Sequence, residues 1–171
     1  ALVKRQLLGQ MNAGGGSTIT QQLAKQLYTK VERSESKRMM QKPIEWFIAV
    51  QLERYYTKEE ILTMYLNYFD FLYTGVGIKN AARTYFGKTP IELNLNECAT
   101  LIGMCKNPSY YNPYRRSEGQ FIANERCRER RNVVLSQMEK AGFISNEEKE
   151  KIQQEPLCIL PRPKVTTHKE G

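Results

Sequence analysis

The stretch Gly14-Gly15-Gly16-Ser17-Thr18-Ile19-Thr20-Gln21-Gln22 passes from loop to helix within a few residues. Successive glycines leave the backbone almost free of steric limits. Thr18 and Gln21 then have the spacing of a capping box, in which each side chain satisfies a backbone amide of the other. Ile19, Leu23 and Leu27 follow at helical spacing. A helix start fed by a glycine loop presents backbone N–H groups and the positive end of the helix dipole, which suits an anion such as phosphate. Ser17 and Thr18 add hydroxyls, Gln21 and Gln22 add neutral donors, and Lys25 adds a charge one turn further on. The same residues also describe an ordinary capped helix after a flexible loop, so the pattern alone leaves both readings open.

Outward from this start the chain reads as helix after helix. Ser36 to Tyr55 forms the second, with Ile44, Phe47, Ile48, Leu52 and Tyr55 as its expected apolar face and Pro43 as a kink or a fresh start. Thr57 with Glu60 caps a third, carrying Ile61, Leu62, Tyr65 and Leu66. A long aromatic loop spans Asn67 to Asn80, and a short helix from Ala81 to Phe86 is closed by Gly87. Thr89-Pro90 with Glu92 opens a brief turn, and Asn94 with Glu97 caps an apolar helix that ends before Asn107-Pro108. Ser109 to Arg116 reads as a loop, Ser117 to Ala141 as a long helix stopped by Gly142, and Ser145 with Glu148 as the cap of a last helix. No segment alternates as a strand, so a mainly α fold is expected. Residues 1–156 form the expected domain, and 157–171, with Pro161 and Pro163, an extended linker or a single strand.

Composition narrows the chemistry. A length of 171 residues suits one domain, or one domain with a tail. With 40% hydrophobic and 26% charged residues the chain can build a core and a solvated surface. Mean hydropathy is −0.59, and no apolar run reaches the ~18 residues that a membrane span needs. No signal peptide is visible in Ala1 to Gln10. A net charge of +8 favours anionic partners such as a phosphorylated substrate, anionic lipid or nucleic acid. The single histidine, His168, lies in the tail, which argues against serine–histidine and cysteine–histidine hydrolases. Cys98, Cys105, Cys127 and Cys158 make no CxxC pair, which argues against a zinc site. Cys98 and Cys105 would share a helix face, but a rise of roughly 10 Å is too long for a disulfide, so buried thiols are expected.

Two more groups carry possible chemistry. Lys42 and Glu45 occupy neighbouring positions of a helix surface, with Glu45 beside the apolar residues Ile44 and Phe47. Partial desolvation there suits acid–base or metal work, whereas full exposure makes the same pair a surface ion pair worth under ~1 kcal/mol. Arg126, Arg128, Arg130 and Arg131 make a basic helix, on which Arg130, four residues before Val134, is placed beside the packed face.

Taken in order, these motifs resemble those of the peptidoglycan glycosyltransferases of glycosyltransferase family 51, the transglycosylase domains of class A penicillin-binding proteins and their monofunctional relatives. Gly15 to Gln22 resembles the second signature motif, Lys42-x-x-Glu45 the third, and Glu60 to Asn67 the fourth. Ala81 to Lys88 is similar to the alanine-rich, Tyr-Phe-Gly segment that follows, and Arg130 to Leu135 to the fifth motif. The resemblance implies a lysozyme-like multi-helix fold and polymerisation of lipid II into glycan strands, with inversion at the anomeric carbon and loss of undecaprenyl pyrophosphate. It implies that Glu45 is the glutamate assisting at the donor pyrophosphate, directly or through a divalent cation (Mg or Mn) that Glu45 would ligate. Ser17, Thr18, Gln21, Gln22, Lys25, Arg33 and Lys42 would line the donor site, while Arg130 supports the cleft. Gln41 and Ile44 stand where many members carry basic residues, and Arg33 lies further from Glu45 than the pattern expects.

Further expectations concern what surrounds this domain. Relatives place a general-base glutamate in an upstream Glu-Asp…His-x-Gly motif, and this sequence starts after it. The domain is therefore expected to be incomplete at its N-terminus and inactive alone. The resemblance also implies an anchor upstream at the outer face of the cytoplasmic membrane, and a transpeptidase domain downstream of His168-Lys169-Glu170-Gly171. The aromatic run Tyr68 to Tyr73 is expected either to touch the bilayer or to pack inside the domain. Expected partners are lipid II, the growing glycan strand, the membrane surface and moenomycin-type inhibitors, with no nucleic acid. Alternatives from other classes are a lysozyme-like glycan hydrolase, a non-catalytic lipid II-binding scaffold, and a basic nucleic-acid module whose affinity would fall steeply with salt.

Overall fold

The computed structural model describes residues 18–28, 35–73, 76–117 and 120–161. The chain is mainly helical and divides into two compact units, residues 1–68 and 69–171.

In the first unit, α1 (Ile19–Tyr28) packs against both α2 (Glu35–Tyr55) and α3 (Lys58–Tyr68). The expected box starts α1: the Thr18 amide donates to Gln21 Oε1 and the Gln21 amide to Thr18 Oγ1, each at 3.2 Å. Thr57 and Glu60 start α3 in the same way. The unit's core contains Leu23, Ala24, Ala49, Leu52, Ile61 and Tyr65. Burial of Leu23 alone contributes about 2 kcal/mol. α2 runs through Pro43 as one helix, so of the two expectations for that proline the fresh start is not met. In its buried face α2 differs from expectation. Its packed stripe is Glu45, Ala49 and Leu52, with Ile48 half-buried. Ile44, Phe47 and Tyr55, assigned to the core from sequence, are exposed. The seam is turned by one residue, so that small Ala49 meets the neighbouring helices and Glu45 is carried inside.

The second unit begins with Phe69 and Phe71, both buried, their rings edge-to-face at 4.9 Å. For these two, packing decides against bilayer contact. The helix α4 (Ile78–Phe86) buries Ala81, Ala82, Tyr85 and Phe86, and ends at Gly87 in the left-handed region (φ 68°) that glycine tolerates best. The brief turn expected at Thr89-Pro90 is a 3-10 turn (Pro90–Glu92) that also carries a capping box, and it leads to α5 (Leu95–Met104), which starts at the expected Asn94–Glu97 cap. Hairpin strands β1 (Tyr114–Ser117) and β2 (Gln120–Ala123) then pair antiparallel, with Ser117 opposite Gln120. This corrects two expectations: Ser109 to Arg116 is not all loop, and the long helix starts later, as α6 (Glu125–Lys140). The intervening Glu118-Gly119 has the length and glycine content of a two-residue hairpin connection, so pairing wins over helix here. Behind the Ser145–Glu148 box, α7 (Asn146–Gln154) completes the set.

α5 and α6 lie so close that a Cβ on Gly103 would sit 3.2 Å from Arg130 Cγ. Arg131, not Arg130, occupies the centre of this unit. It is fully buried, one turn from buried Cys127 and one turn from buried Leu135. Its guanidinium donates to Asn96 Oδ1 (2.9 Å), Asn132 Oδ1 (2.9 Å) and the carbonyls of Gln153 (3.1 Å) and Glu155 (2.9 Å). The last two are carbonyls at the C-terminal end of α7, where the helix dipole favours a cation. Burial first, and then the charge of Arg128, lower its pKa from the ordinary arginine value. Beyond α7 the chain is extended, as expected from its prolines. The Leu160 amide donates to the Tyr85 carbonyl at 2.9 Å, and the Tyr114 hydroxyl donates to the Leu160 carbonyl.

The cysteines only partly meet the expectation of burial. Cys127 is buried, Cys98 and Cys105 are half-buried, and Cys158 is exposed. All four are free. Desolvation pushes the thiols of Cys105 and Cys127 up to about 12.

Candidate functional site

The site predicted from sequence draws on α1 and α2, and both belong to the first unit. A recess of about 480 Å³ is lined by Gln21 of α1 and by Met39, Lys42, Pro43, Glu45 and Trp46 of α2. Glu45 is 4% exposed. Lys42 Nζ donates to Glu45 Oε2 at 2.8 Å, with the lysine side chain largely in solvent. The pair therefore runs from the buried seam of α2 outward into the recess. This is a different environment from a surface ion pair: removal of Lys42 would leave a carboxylate with little water around it.

Thr18 adjoins the recess through its box with Gln21. The box engages the amides of Thr18 and Gln21, which leaves those of Ile19 and Thr20 outside it. Lys25 is exposed and lies one turn along α1 from Gln21, on the same side of the helix. Gln22 is half-buried and turned to α3, where its Oε1 accepts from the Tyr65 hydroxyl at 3.1 Å. It holds α1 to α3 in addition to any part it takes in binding. Ser17, Arg33 and the glycines at 14–16 lie outside the described residues. The structure thus brings Gln21, Lys42 and Glu45 to one recess, with Thr18 and Lys25 adjoining on α1. Met39 and Trp46, its apolar walls, do not stand out in the sequence; they lie one turn before Pro43 and one residue after Glu45, where the turned seam of α2 places them.

As a metal site this donor set is poor. Among the described residues no group of three or more His, Cys, Asp or Glu side chains gathers. The one carboxylate in the recess already faces an ammonium at 2.8 Å. A Mg²⁺ or Mn²⁺ ion at Glu45 would share that carboxylate with the Lys42 ammonium.

Arg130 lies beside the packed face, where its spacing from Val134 places it. It is half-buried, its Nε is buried with no hydrogen-bond partner among the described residues, and its guanidinium carbon lies 5.9 Å from the Tyr111 ring centre.

The comparisons with known proteins agree with the motif reading. Residues 1–139 match the family described as Transglycosylase. The chain belongs to this transglycosylase family and is a glycosyltransferase domain by class. Among individual relatives, penicillin-binding protein 1A of Escherichia coli (strain K12) is 42% identical over 134 residues, which cover 78% of this chain and 14% of that protein. Penicillin-binding protein 2a of Streptococcus pneumoniae serotype 2 is 44% identical over 142 residues, 81% of this chain and 18% of that protein. A crystal structure of penicillin-binding protein 1A from Haemophilus influenzae is similar with a TM-score of 0.49 and 29% identity, over 84% of this chain and 17% of that one. The chain therefore spans less than a fifth of the length of these relatives. No helix among the described residues is long and apolar enough to cross a membrane.

Proposed function

We propose that this domain polymerises lipid II into glycan strands and that the recess between α1 and α2 receives the donor's pyrophosphate. In this reaction the 4-hydroxyl oxygen of the acceptor sugar attacks the donor's anomeric carbon. The bond from that carbon to the pyrophosphate oxygen breaks, and the undecaprenyl pyrophosphate leaves with the electron pair. The hydroxyl proton passes to a base, a role assigned to none of the described residues. What the recess supplies is charge and oriented donors for the leaving group, which gains negative charge as the bond breaks.

One observation carries this reading: Gln21 of α1 and the Lys42–Glu45 pair of α2 line the same recess. Lys42 and Lys25 offer ammonium groups to phosphate oxygens, and Gln21 and Thr18 offer neutral donors. Glu45, buried at the base of Lys42, fixes where that ammonium points. The Lys42 ammonium has three N–H donors, so it can keep its bond to Glu45 while donating to the pyrophosphate. In the parent protein this work takes place at the outer face of the cytoplasmic membrane, on lipid-linked substrate, beside a growing strand and alongside a transpeptidase domain.

Moenomycin, which imitates a lipid-linked phosphoglycan, tests the reading. Lys25→Ala and Lys42→Ala should each weaken its binding to this chain about tenfold or more, the loss of a charge-assisted hydrogen bond. Lys151→Ala, on α7, should leave it unchanged. If both lysine changes leave the affinity intact, the donor-site assignment is wrong. Release of sugars from finished peptidoglycan would instead favour a hydrolase.

A further inference from the structure

A second recess, of about 300 Å³, lies wholly in the second unit. Its walls include Tyr73, Tyr110 and Tyr114, with Asn112, Asn124 and Arg126 between them. The base of the recess is built as a buried polar network. Asn112 donates to the Tyr85 hydroxyl at 2.7 Å and accepts from the Tyr114 amide, and Tyr85 in turn donates to the Phe71 carbonyl at 2.7 Å. Asn124 donates to the carbonyls of Tyr110 (3.1 Å) and Asn112 (2.7 Å), and accepts from the Arg126 amide. With both asparagines bonded through their amide nitrogen and their oxygen, the base is rigid and orients what stands above it.

What stands above it is less committed. The Arg126 guanidinium lies over the Tyr110 ring, 4.5 Å from its centre. Among the described residues it has neither an ion pair nor a side-chain hydrogen bond, although it has five N–H donors. At the rim, Leu72 and Tyr73 both hold positive φ angles, 68° and 59°. Two such residues in succession are costly for side chains of this size. The surroundings over-determine them: the Leu72 amide donates to Asp70 Oδ1 at 2.7 Å, and Asp70 pairs with Val76 across the loop. The effect is to stand Tyr73 at the recess mouth, half-exposed.

We propose that this recess is a saccharide subsite, which takes a pyranose ring bearing a carboxylate-containing substituent. The size suits one sugar ring. Tyrosine rings match the apolar faces of a pyranose and their hydroxyls its polar edge. A flat guanidinium backed by an aromatic ring suits bidentate recognition of a carboxylate. The choice of sugar rests on the proposed function: a glycan strand of that kind carries peptide stems with free carboxylates, so one unit offers both the ring and the anion.

Titration of the isotope-labelled chain with N-acetylmuramyl-L-alanyl-D-isoglutamine, followed by NMR, tests this. The probe has a sugar ring and carboxylate but no pyrophosphate, so its failure would leave the donor reading standing, and loss of moenomycin's dependence on Lys25 would leave this one standing. The expected result is saturable shifts at Tyr110, Asn124 and Arg126, with affinity reduced about tenfold by Arg126→Gln and reduced also by Tyr110→Leu. N-acetylglucosamine, which lacks the carboxylate, should bind at least about tenfold more weakly. Both changes are at exposed side chains, and unchanged circular dichroism would confirm folding. Shifts elsewhere, affinity unaltered by both variants, or equal shifts with inorganic phosphate alone would overturn the proposal.

Discussion

Arg131→Met removes the cation buried at the centre of the second unit while keeping most of its volume. Wild-type Arg131 is 0% exposed, and five donor–acceptor contacts from its guanidinium fall between 2.9 and 3.1 Å. Its acceptors are neutral: two asparagine oxygens and two carbonyls at the C-terminal end of α7. Methionine satisfies none of them. Asn96 is 3% exposed, so its Oδ1 loses its partner with little water to replace it. One buried orphan costs about 1–3 kcal/mol, and the two carbonyls, nearer the surface, add part of that again. Relief of the desolvated charge offsets some of the loss. The sum is about 3 kcal/mol, which for a chain of this length lowers Tm by roughly 6–12 °C. Urea unfolding followed by circular dichroism reads the free energy. Hydrogen exchange reads where it is lost, with protection at the end of α7 and at 155–161 falling first. A variant within about 1 kcal/mol of wild type would refute the reasoning and mean that the guanidinium is exchanged for apolar packing without cost.

Other changes follow the same logic. Gly87→Ala forces a Cβ into φ 68° and sets it 3.0 Å from Leu160 Cδ1; a loss of about 1–2 kcal/mol in urea unfolding is expected, and no loss would mean that this helix end adjusts freely. Tyr65→Phe removes the bond to Gln22 and should cost about 0.5–1.5 kcal/mol, which a double-mutant cycle with Gln22→Ala should show to be shared between the pair. In the native chain at pH 8, a thiol reagent should modify exposed Cys158 first and leave Cys105 and Cys127, pushed up to about 12, untouched until the protein unfolds; mass spectrometry that found Cys127 labelled early would contradict its burial. The same two thiols work against stability at high pH. As pH rises above the ordinary value of 9.0, the unfolded chain gives up these protons while the folded chain keeps them up to about 12, so unfolding is progressively favoured across that window.

Local chemistry is the legible part of this fold. The boxes at Thr18, Thr57, Asn94 and Ser145 depend on two side chains three residues apart, and each starts a helix where the sequence places it. The close of α4 at Gly87 is local in the same sense. Tertiary choices are not legible. On α2 the residues Ile44 and Phe47 are more apolar than Glu45 and Ala49, so hydrophobicity alone points to the wrong stripe; the close approach of the neighbouring helices selects the small residue. In the hairpin, Arg115 and Arg116 hide the alternation, though Glu118-Gly119 carries a turn signal. Arginine is so seldom wholly buried that Arg131 does not suggest itself as a core residue, yet its spacing from Cys127 and Leu135 marks it as an inward position. For the candidate site, the Lys42–Glu45 pair can be read from spacing. That Gln21 shares their recess depends on how α1 lies on α2.

The central claim is that the recess between α1 and α2 grips a diphosphate. Calorimetric titration of the chain with undecaprenyl pyrophosphate and with undecaprenyl monophosphate, both in detergent, tests it most directly. Tighter binding of the pyrophosphate by about tenfold or more is expected, a preference that shrinks in Lys25→Ala and Lys42→Ala. Equal affinity for the two lipids, or a preference that survives both substitutions, would contradict it.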